Sequence, residues 1–321
     1  MAPPEAAPAA VRHVTVGAGE SGQRIDNFLL RELKGVPRSH VYRLLRRGEV
    51  RINGRRAKPE QRLEDGDEVR LPPVRVAVPE TPGRVPDALR AEVRAAVIHE
   101  DDRILALDKP SGLAVHGGSG LSFGAIEVLR ADRPDSELEL VHQLDRDTSG
   151  VLLVAKDRGS LRILHALLRD GAVEKTYLAL LKGRWVLGRK RIDAPLKTNL
   201  RQGGERMVKV DVAGKDAAST FKPSRSFGAR ATLAEIEIHT GRTHQIRVHA
   251  AFAGHPIAGD DKYGDREFNA LMRELGLRRM FLHAHCLAFT WPDTGRKCRI
   301  TAPLPADLRA VVERLEKGKG G

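Results

Sequence analysis

The chain has 321 residues, room for about two domains at roughly 150 residues each. Hydrophobic residues make up 41% and charged residues 30%, which excludes a wholly disordered chain. Lys and Arg number 55 against 42 Asp and Glu, a net charge of +13 that points to an anionic partner, nucleic acid being the commonest, whereas aromatics at 4% exclude broad base-stacking platforms. The two cysteines, Cys286 and Cys298, are too few for a disulfide framework or a four-cysteine zinc site, and a cytoplasmic protein is expected. The Ala/Pro-rich start lacks a basic segment followed by an apolar one, so no signal peptide is expected. No apolar run of about 18 residues suggests a membrane span.

Residues 1–12 read as a disordered tail and 13–71 as a compact basic unit. Ile25, Phe28, Leu29 and Leu33 recur at helical spacing, as do Val41, Leu44 and Leu45 after Pro37, with Ser39 as expected N-cap and Gly48 as the stop. The second helix carries Arg38, His40, Arg43, Arg46 and Arg47. Val50-Arg51-Ile52 follows, then the hairpin pair Asn53-Gly54 and a strand near 68–71. An Arg-studded helix beside a small hairpin suits phosphate contacts, because Arg forks pair with phosphate oxygens. Arg38, Arg43, Arg46, Arg47 and Arg51 are the candidate RNA-binding residues. The stretch Ser39–Gly48, with the Gly-x-Val-x-Ile-Asn-Gly ending at Gly48–Gly54, resembles the S4 RNA-binding domain.

Residues 72–90 hold Pro72, Pro73, Pro79, Pro82 and Pro86, a linker composition. The span 91–312 alternates short strands with a few helices. Ile104–Leu107 and Val151–Val154 read as buried strands, and Tyr177–Leu181, Ala217–Phe221 and Thr232–His239 as further strands. Ser160 is expected to cap a helix ending at Gly171, and Thr243 one from His244 to about Ala253. Residues 313–321 read as a disordered basic tail.

The run with most chemical content is Val141-His142-Gln143-Leu144-Asp145-Arg146-Asp147-Thr148-Ser149-Gly150. It sets carboxylates on a tight loop among basic residues. An Asp beside Arg stays ionised and can attack a sugar carbon or act as a base. A plain capping turn is the bland alternative. An aspartic protease is another, since Asp147-Thr148-Ser149-Gly150 and Asp293-Thr294-Gly295 echo that family's paired signature. The contexts disagree with it: Asp147 follows Arg146 rather than an apolar strand, and Pro292 before Asp293 marks an ordinary turn.

The run resembles the active-site motif of the RluA family of pseudouridine synthases. Leu107–His116, Glu174-Lys175-Thr176-Tyr177, Gly241–His249 and Phe281-Leu282-His283-Ala284 match the family's other motifs in order. The resemblance implies an α+β pseudouridine synthase fold, with a mixed, mainly antiparallel central sheet and an active-site cleft, preceded by a small α/β S4 unit. It makes Asp145 the catalytic aspartate and Arg247 its ion-pair partner, with Arg242 as a second candidate. Tyr177 would stack on the uracil and handle a proton, and Leu282 would wall the pocket. Gln143 departs from the pattern: relatives usually carry there an Arg implicated in displacing the target base, and Gln is neutral and shorter. Ala258–Asn269 is similar to the RluC branch, with the RluD branch as runner-up. The implied partner is 23S ribosomal RNA or its large-subunit precursor, bound by a monomer.

His239, His244 and His249 are spaced by five, whereas two helical zinc ligands want i, i+4, so no metal is expected. Without a Walker-type loop no nucleotide cofactor is expected either. Gly117-Gly118-Ser119-Gly120 reads as a mobile loop near the site. A non-catalytic ribosomal RNA-binding or assembly protein on the same fold is the competing reading.

Overall fold

The computed structural model describes residues 11–33, 36, 38–74, 85–117, 123–202 and 205–318. Most of the expected N-terminal tail, much of the Pro-rich linker and Gly118-Ser119-Gly120 lie outside them. Two units separate, 1–84 and 85–321.

The first unit comprises β1 (Arg12–Thr15), α1 (Ile25–Glu32), α2 (Arg38–Arg47), β2 (Arg51–Ile52), β3 (Arg55–Arg56) and β4 (Glu68–Leu71). Its four strands form one sheet in the order β1-β4-β2-β3. Ile25, Phe28 and Leu29 on α1 and Val41, Leu44 and Leu45 on α2 are buried in one core with Val69 and Leu71. The helical spacing of these residues is what places them on facing stripes. Asn53 and Gly54 both take positive φ, +48° and +75°, the geometry of a two-residue turn that matches strand twist. Two expectations change here. Arg12 pairs with Leu71 and belongs to the sheet rather than to a tail. Ser39 lies inside α2, one residue past its start, and so does not hold the N-cap position.

The second unit runs α3 (Asp87–Ala95), β5 (Val97–Glu100), β6 (Ile104–Lys109), α4 (Ala125–Asp132), β7 (Glu139–Leu140), β8 (Ser149–Ala155), α5 (Arg158–Arg169), β9 (Glu174–Lys182) and β10 (Lys190–Asp193). It continues with β11 (Leu196–Gln202), β12 (Glu205–Val210), β13 (Ala218–Phe227), β14 (Ala231–Ile238), α6 (Gln245–Phe252), α7 (Arg266–Glu274), β15 (Leu282–Thr290), β16 (Lys297–Thr301) and α8 (Ala306–Lys317). A ten-stranded sheet has the path β10-β13-β14-β9-β15-β8-β6-β5, with β16 beside β15 and β7 beside β8. Among the described residues only the β15–β8 pairing in this sheet is parallel, so the sheet is mixed and mainly antiparallel. There the backbones come too close for a side chain. A Cβ on Gly150 would stand 2.2 Å from the carbonyl oxygen of Ala284, and Gly150 has φ +109°, which glycine alone adopts without strain. The central strands are buried on both faces, β8 at every residue, which explains why they read as continuous apolar runs.

Several boundaries differ from expectation. Asp87–Arg90 are in α3, not linker. Asp157, not Ser160, caps α5: its Oδ1 accepts the Ser160 backbone N–H at 2.8 Å and its Oδ2 the Ser160 hydroxyl at 2.6 Å, the reach of an N-cap to the third helical residue. His244, not Thr243, is the N-cap of α6. Finally, α8 runs to Lys317, well into the expected basic tail. Leu308, Val311, Val312 and Leu315 are all buried, a helical stripe that continues past 312. Burying each such side chain is worth about 1.5–3 kcal/mol.

Candidate active site

The loop between β7 and β8 carries Asp145 and is pinned from below. Lys109, at the end of β6, is fully buried. Its Nζ donates to the carbonyls of Pro110 at 2.9 Å, Leu113 at 2.8 Å and Arg146 at 3.0 Å. Burial lowers its pKa to about 8, so at neutral pH it remains an ammonium whose three protons meet three acceptors. The Ser111 hydroxyl donates to the Asp147 carbonyl at 2.8 Å, and the Gly112 N–H to the Arg146 carbonyl at 2.9 Å. The Thr148 N–H closes a turn on the Asp145 carbonyl at 3.1 Å. On the other side His142 accepts the Leu153 N–H at Nε2, 3.1 Å away, and burial pulls its pKa down to about 4, so it is neutral. The loop that presents Asp145 is thus held from both flanks.

Arg247, in the first turn of α6, faces that loop. Its Nη1 lies 3.3 Å from Asp145 Oδ2. Its Nε and Nη2 grip Asp260 at 2.7 and 2.8 Å, a bidentate geometry that fixes the guanidinium plane. Asp260 Oδ1 also accepts the N–H groups of Lys262 and Tyr263 at 2.9 and 3.0 Å. These bonds and Arg247 outweigh desolvation and hold the Asp260 carboxyl below its usual range, while Arg247, despite its burial, is held above its own. The Arg247 guanidinium further sits 5.0 Å over the Tyr263 ring.

His244 completes the surround. It has φ +53°, a left-handed conformation uncommon for a side-chain-bearing residue and typical of functional sites. The Tyr263 hydroxyl accepts the Val208 N–H at 3.0 Å and lies 2.8 Å from His244 Nδ1. Burial lowers the imidazole pKa. The other ring nitrogen, Nε2, lies 3.9 Å from Asp145 Oδ1.

These groups open on a cleft of about 680 Å³. Asp145, Tyr177, Arg247 and Leu282 all line it, as do Gln143 and Arg242. Tyr177 is buried on β9, and burial, helped by Asp145, raises its phenol pKa well above the usual value. Leu282 begins β15, next but one to Ala284, which pairs with Tyr177. Gln143 is exposed at the cleft. Arg242 is not brought to Asp145; its Nε donates to the Asp216 carbonyl at 3.0 Å. The Thr240 hydroxyl donates to Gln245 Oε1 at 2.6 Å, and the same oxygen accepts the Arg242 N–H at 3.0 Å. The rival carboxylate pair does not form. Asp147 pairs with Arg146 at 3.2 Å, and Asp293, in the β15–β16 turn, pairs with Arg103 at 2.9 Å.

Lys109, His244, Asp260 and Tyr263 were not among the sequence-derived candidates for this site. Lys109 and Asp260 lie in stretches with a family resemblance, but no residue type or spacing marks them as partners of Asp145 and Arg247. In the first unit, Arg43, Arg46, Arg47 and Arg51 are exposed. Arg47 has only a loose ion pair, 3.8 Å from Glu49. The Arg38 side chain lies outside what is described. Among the described residues no helix is long and apolar enough to cross a membrane.

Comparison with known proteins fits this geometry. The RNA pseudouridylate synthase family matches residues 103–252, and the S4 domain family matches 23–69. The chain is 56% identical over 309 residues to the "Ribosomal large subunit pseudouridine synthase C" of Salmonella typhi, covering 95% of this chain and 97% of that protein. The protein of the same name from Escherichia coli (strain K12) is 55% identical over 313 residues, covering 96% and 98%. Among solved structures, "Human RNA Pseudouridylate Synthase Domain Containing 4" aligns with a TM-score of 0.59 at 24% identity, over 71% of this chain and 96% of that one, a likeness of fold.

Proposed function

Given that the chain belongs to the RluA family of pseudouridine synthases and carries an S4 domain, we propose that it isomerises uridines of bacterial 23S ribosomal RNA, in the cytoplasm, by the RluC-type specificity its high-identity relatives are named for. Asp145 is the nucleophile of this reading. The observation that carries it is the 3.3 Å contact by which a doubly anchored Arg247 orients the Asp145 carboxylate into the cleft.

The target uridine must leave its stack to reach that carboxylate, which costs a few kcal/mol and least in a loop or bulge. The cleft then receives the base between the Tyr177 ring and the Leu282 side chain. The C1′–N1 bond breaks and its electron pair leaves with the uracil. Asp145 either assists that departure or attacks C1′ to form an ester. The ring turns, and C1′ bonds to C5 as any Asp145–C1′ ester breaks and returns its electron pair to the carboxylate; the C5 proton is then lost and N1 gains one. Atoms and electrons balance without a cofactor. The raised pKa of Tyr177 keeps its phenol protonated, so it acts as a wall and a proton donor rather than as a resting base. The enzyme is taken to act as a monomer. Residues 13–71 are taken as an RNA-gripping domain on a Pro-rich tether, and the unit that follows as the catalytic domain.

The test is a pseudouridine map of large-subunit ribosomal RNA from cells with and without the gene. Specific pseudouridines are expected to vanish without it and to return with a plasmid copy. An unchanged map would overturn the assignment.

A further inference from the structure

Lys175 and Tyr177 are two residues apart on β9 and so project from the same face of the strand. Both line the cleft. The Lys175 Nζ extends toward the segment that joins β14 to α6, where a Cβ on Gly241 would stand 4.0 Å from it. This lysine is partly buried, and among the described residues it has no hydrogen bond and no ion pair. Its contrast is Lys109, whose ammonium is fully satisfied by three carbonyls. Burying an ammonium without a partner is unfavourable, and buried lysines are normally paired.

No free anion among the described lining residues pairs with it. Asp145 is the only carboxylate among the described lining residues and is engaged by Arg247. His142 is neutral, Gln143 is uncharged and the Tyr177 phenol is protonated. Burial also lowers the pKa of Lys175 itself, with no neighbouring charge to offset it. The cleft therefore holds a partly desolvated donor with no anion of its own.

We propose that Lys175 is a further catalytic residue: its ammonium donates a hydrogen bond to a carbonyl oxygen of the target uracil and stabilises the negative charge that the ring acquires when the C1′–N1 bond breaks. The inference rests on the pseudouridine synthase reading of the cleft. On bond cleavage the C1′–N1 electron pair spreads over the ring onto O2 and O4. The Lys175 proton stays on nitrogen throughout, so no bond to Lys175 forms or breaks. As C1′ bonds to C5 and the ring becomes neutral again, the interaction weakens. A fixed donor aimed at charge that develops only in the transition state accelerates the step rather than tightening binding.

The test uses the full-length enzyme with Lys175→Met and Lys175→Arg. Single-turnover rates of C1′–N1 cleavage, followed as loss of the starting nucleoside because 5-fluorouridine has no C5 proton to lose, are measured at saturating RNA on a 23S fragment bearing the target uridine, and on the same fragment with 5-fluorouridine there. Affinity is measured at several salt concentrations. On uridine, Lys175→Met is expected to lower the rate about 10²–10³-fold, as loss of one such donor does elsewhere, with Kd changed less than about twofold. Lys175→Arg should recover part of the loss. Fluorine withdraws electrons and makes the departing ring a more stable anion, so the Lys175→Met deficit should shrink on 5-fluorouridine. A raised Kd with a salt slope shallower by about 0.7 and an unchanged rate would show a phosphate contact instead and overturn the proposal. Equal deficits on the two substrates would show a structural role and overturn it too. The Lys175→Arg comparison on the two substrates decides the matter if the Met variant does not fold. A wild-type enzyme that makes no pseudouridine would sink the underlying function and not this assignment alone.

Discussion

Arg247 bridges two carboxylates: it grips Asp260 through Nε and Nη2 at 2.7 and 2.8 Å and reaches Asp145 with Nη1 at 3.3 Å. Asp260 is fully buried and Asp145 is partly open to the cleft. The inner contact is the tighter one, so Asp260 sets where the guanidinium stands and Asp145 inherits that position.

Asp260→Asn should therefore act on both stability and turnover. Removing one partner of a buried pair costs about 3–5 kcal/mol, and Asn keeps some of the hydrogen bonds, so a loss near the lower figure is expected by denaturant unfolding. Turnover should fall while RNA affinity holds. The acid limb carries a second sign. The Asp260 carboxyl is held below its ordinary value of 3.8 in the fold. Its contribution is thus complete above that value and is lost as pH falls from there through the lower folded value. Wild type should lose stability more steeply than Asp260→Asn in that acid window.

Lys109→Met tests the floor of the Asp145 loop. The carbonyls of Pro110, Leu113 and Arg146 would lose this donor, that of Arg146 keeping the Gly112 N–H, and a group left unsatisfied away from water costs about 1–3 kcal/mol. A marked drop in Tm is expected, together with a fall in kcat larger than any change in RNA affinity. Unchanged Tm and kcat would show that the loop holds its place without this anchor.

The basic face of α2 should act on binding alone. Arg43, Arg46 and Arg47 replaced together by Ala should weaken RNA binding. The plot of log K against log salt should flatten by about 0.7–0.9 for each phosphate that is no longer neutralised. The rate at saturating RNA should be retained, because these arginines act on the ground state and the transition state alike. An unchanged salt slope would remove the S4 unit from the binding surface.

Much of this fold is legible in the residues themselves. Apolar runs such as Val151–Val154 and the helical stripes of α1 and α2 are strong local patterns. The helix caps are less so. Ser160 and Thr243 have the right chemistry for caps, but Asp157 and His244 take those places because the chain enters each helix one to three residues away from the obvious candidate. The extension of α8 to Lys317 follows from Leu315, a single apolar residue among charges, which packing makes decisive. At the site, the loop of Asp145 and the helix of Arg247 stand out as motifs. The role of Asp260 does not, because it depends on a contact with Arg247 across two separate segments, and neither residue type announces it. The same holds for Lys109, whose burial reverses what a lysine at the end of a strand would suggest.

Asp145→Asn is the most direct measurement of the central claim. Asn preserves the shape of the side chain and can keep an oxygen toward Arg247, but it is not a nucleophile toward C1′. With purified full-length enzyme and 23S RNA, the variant is expected to bind with nearly wild-type affinity and salt dependence and to form no pseudouridine in a single-turnover assay. Pseudouridine formed by Asp145→Asn at a rate comparable to wild type would contradict the account.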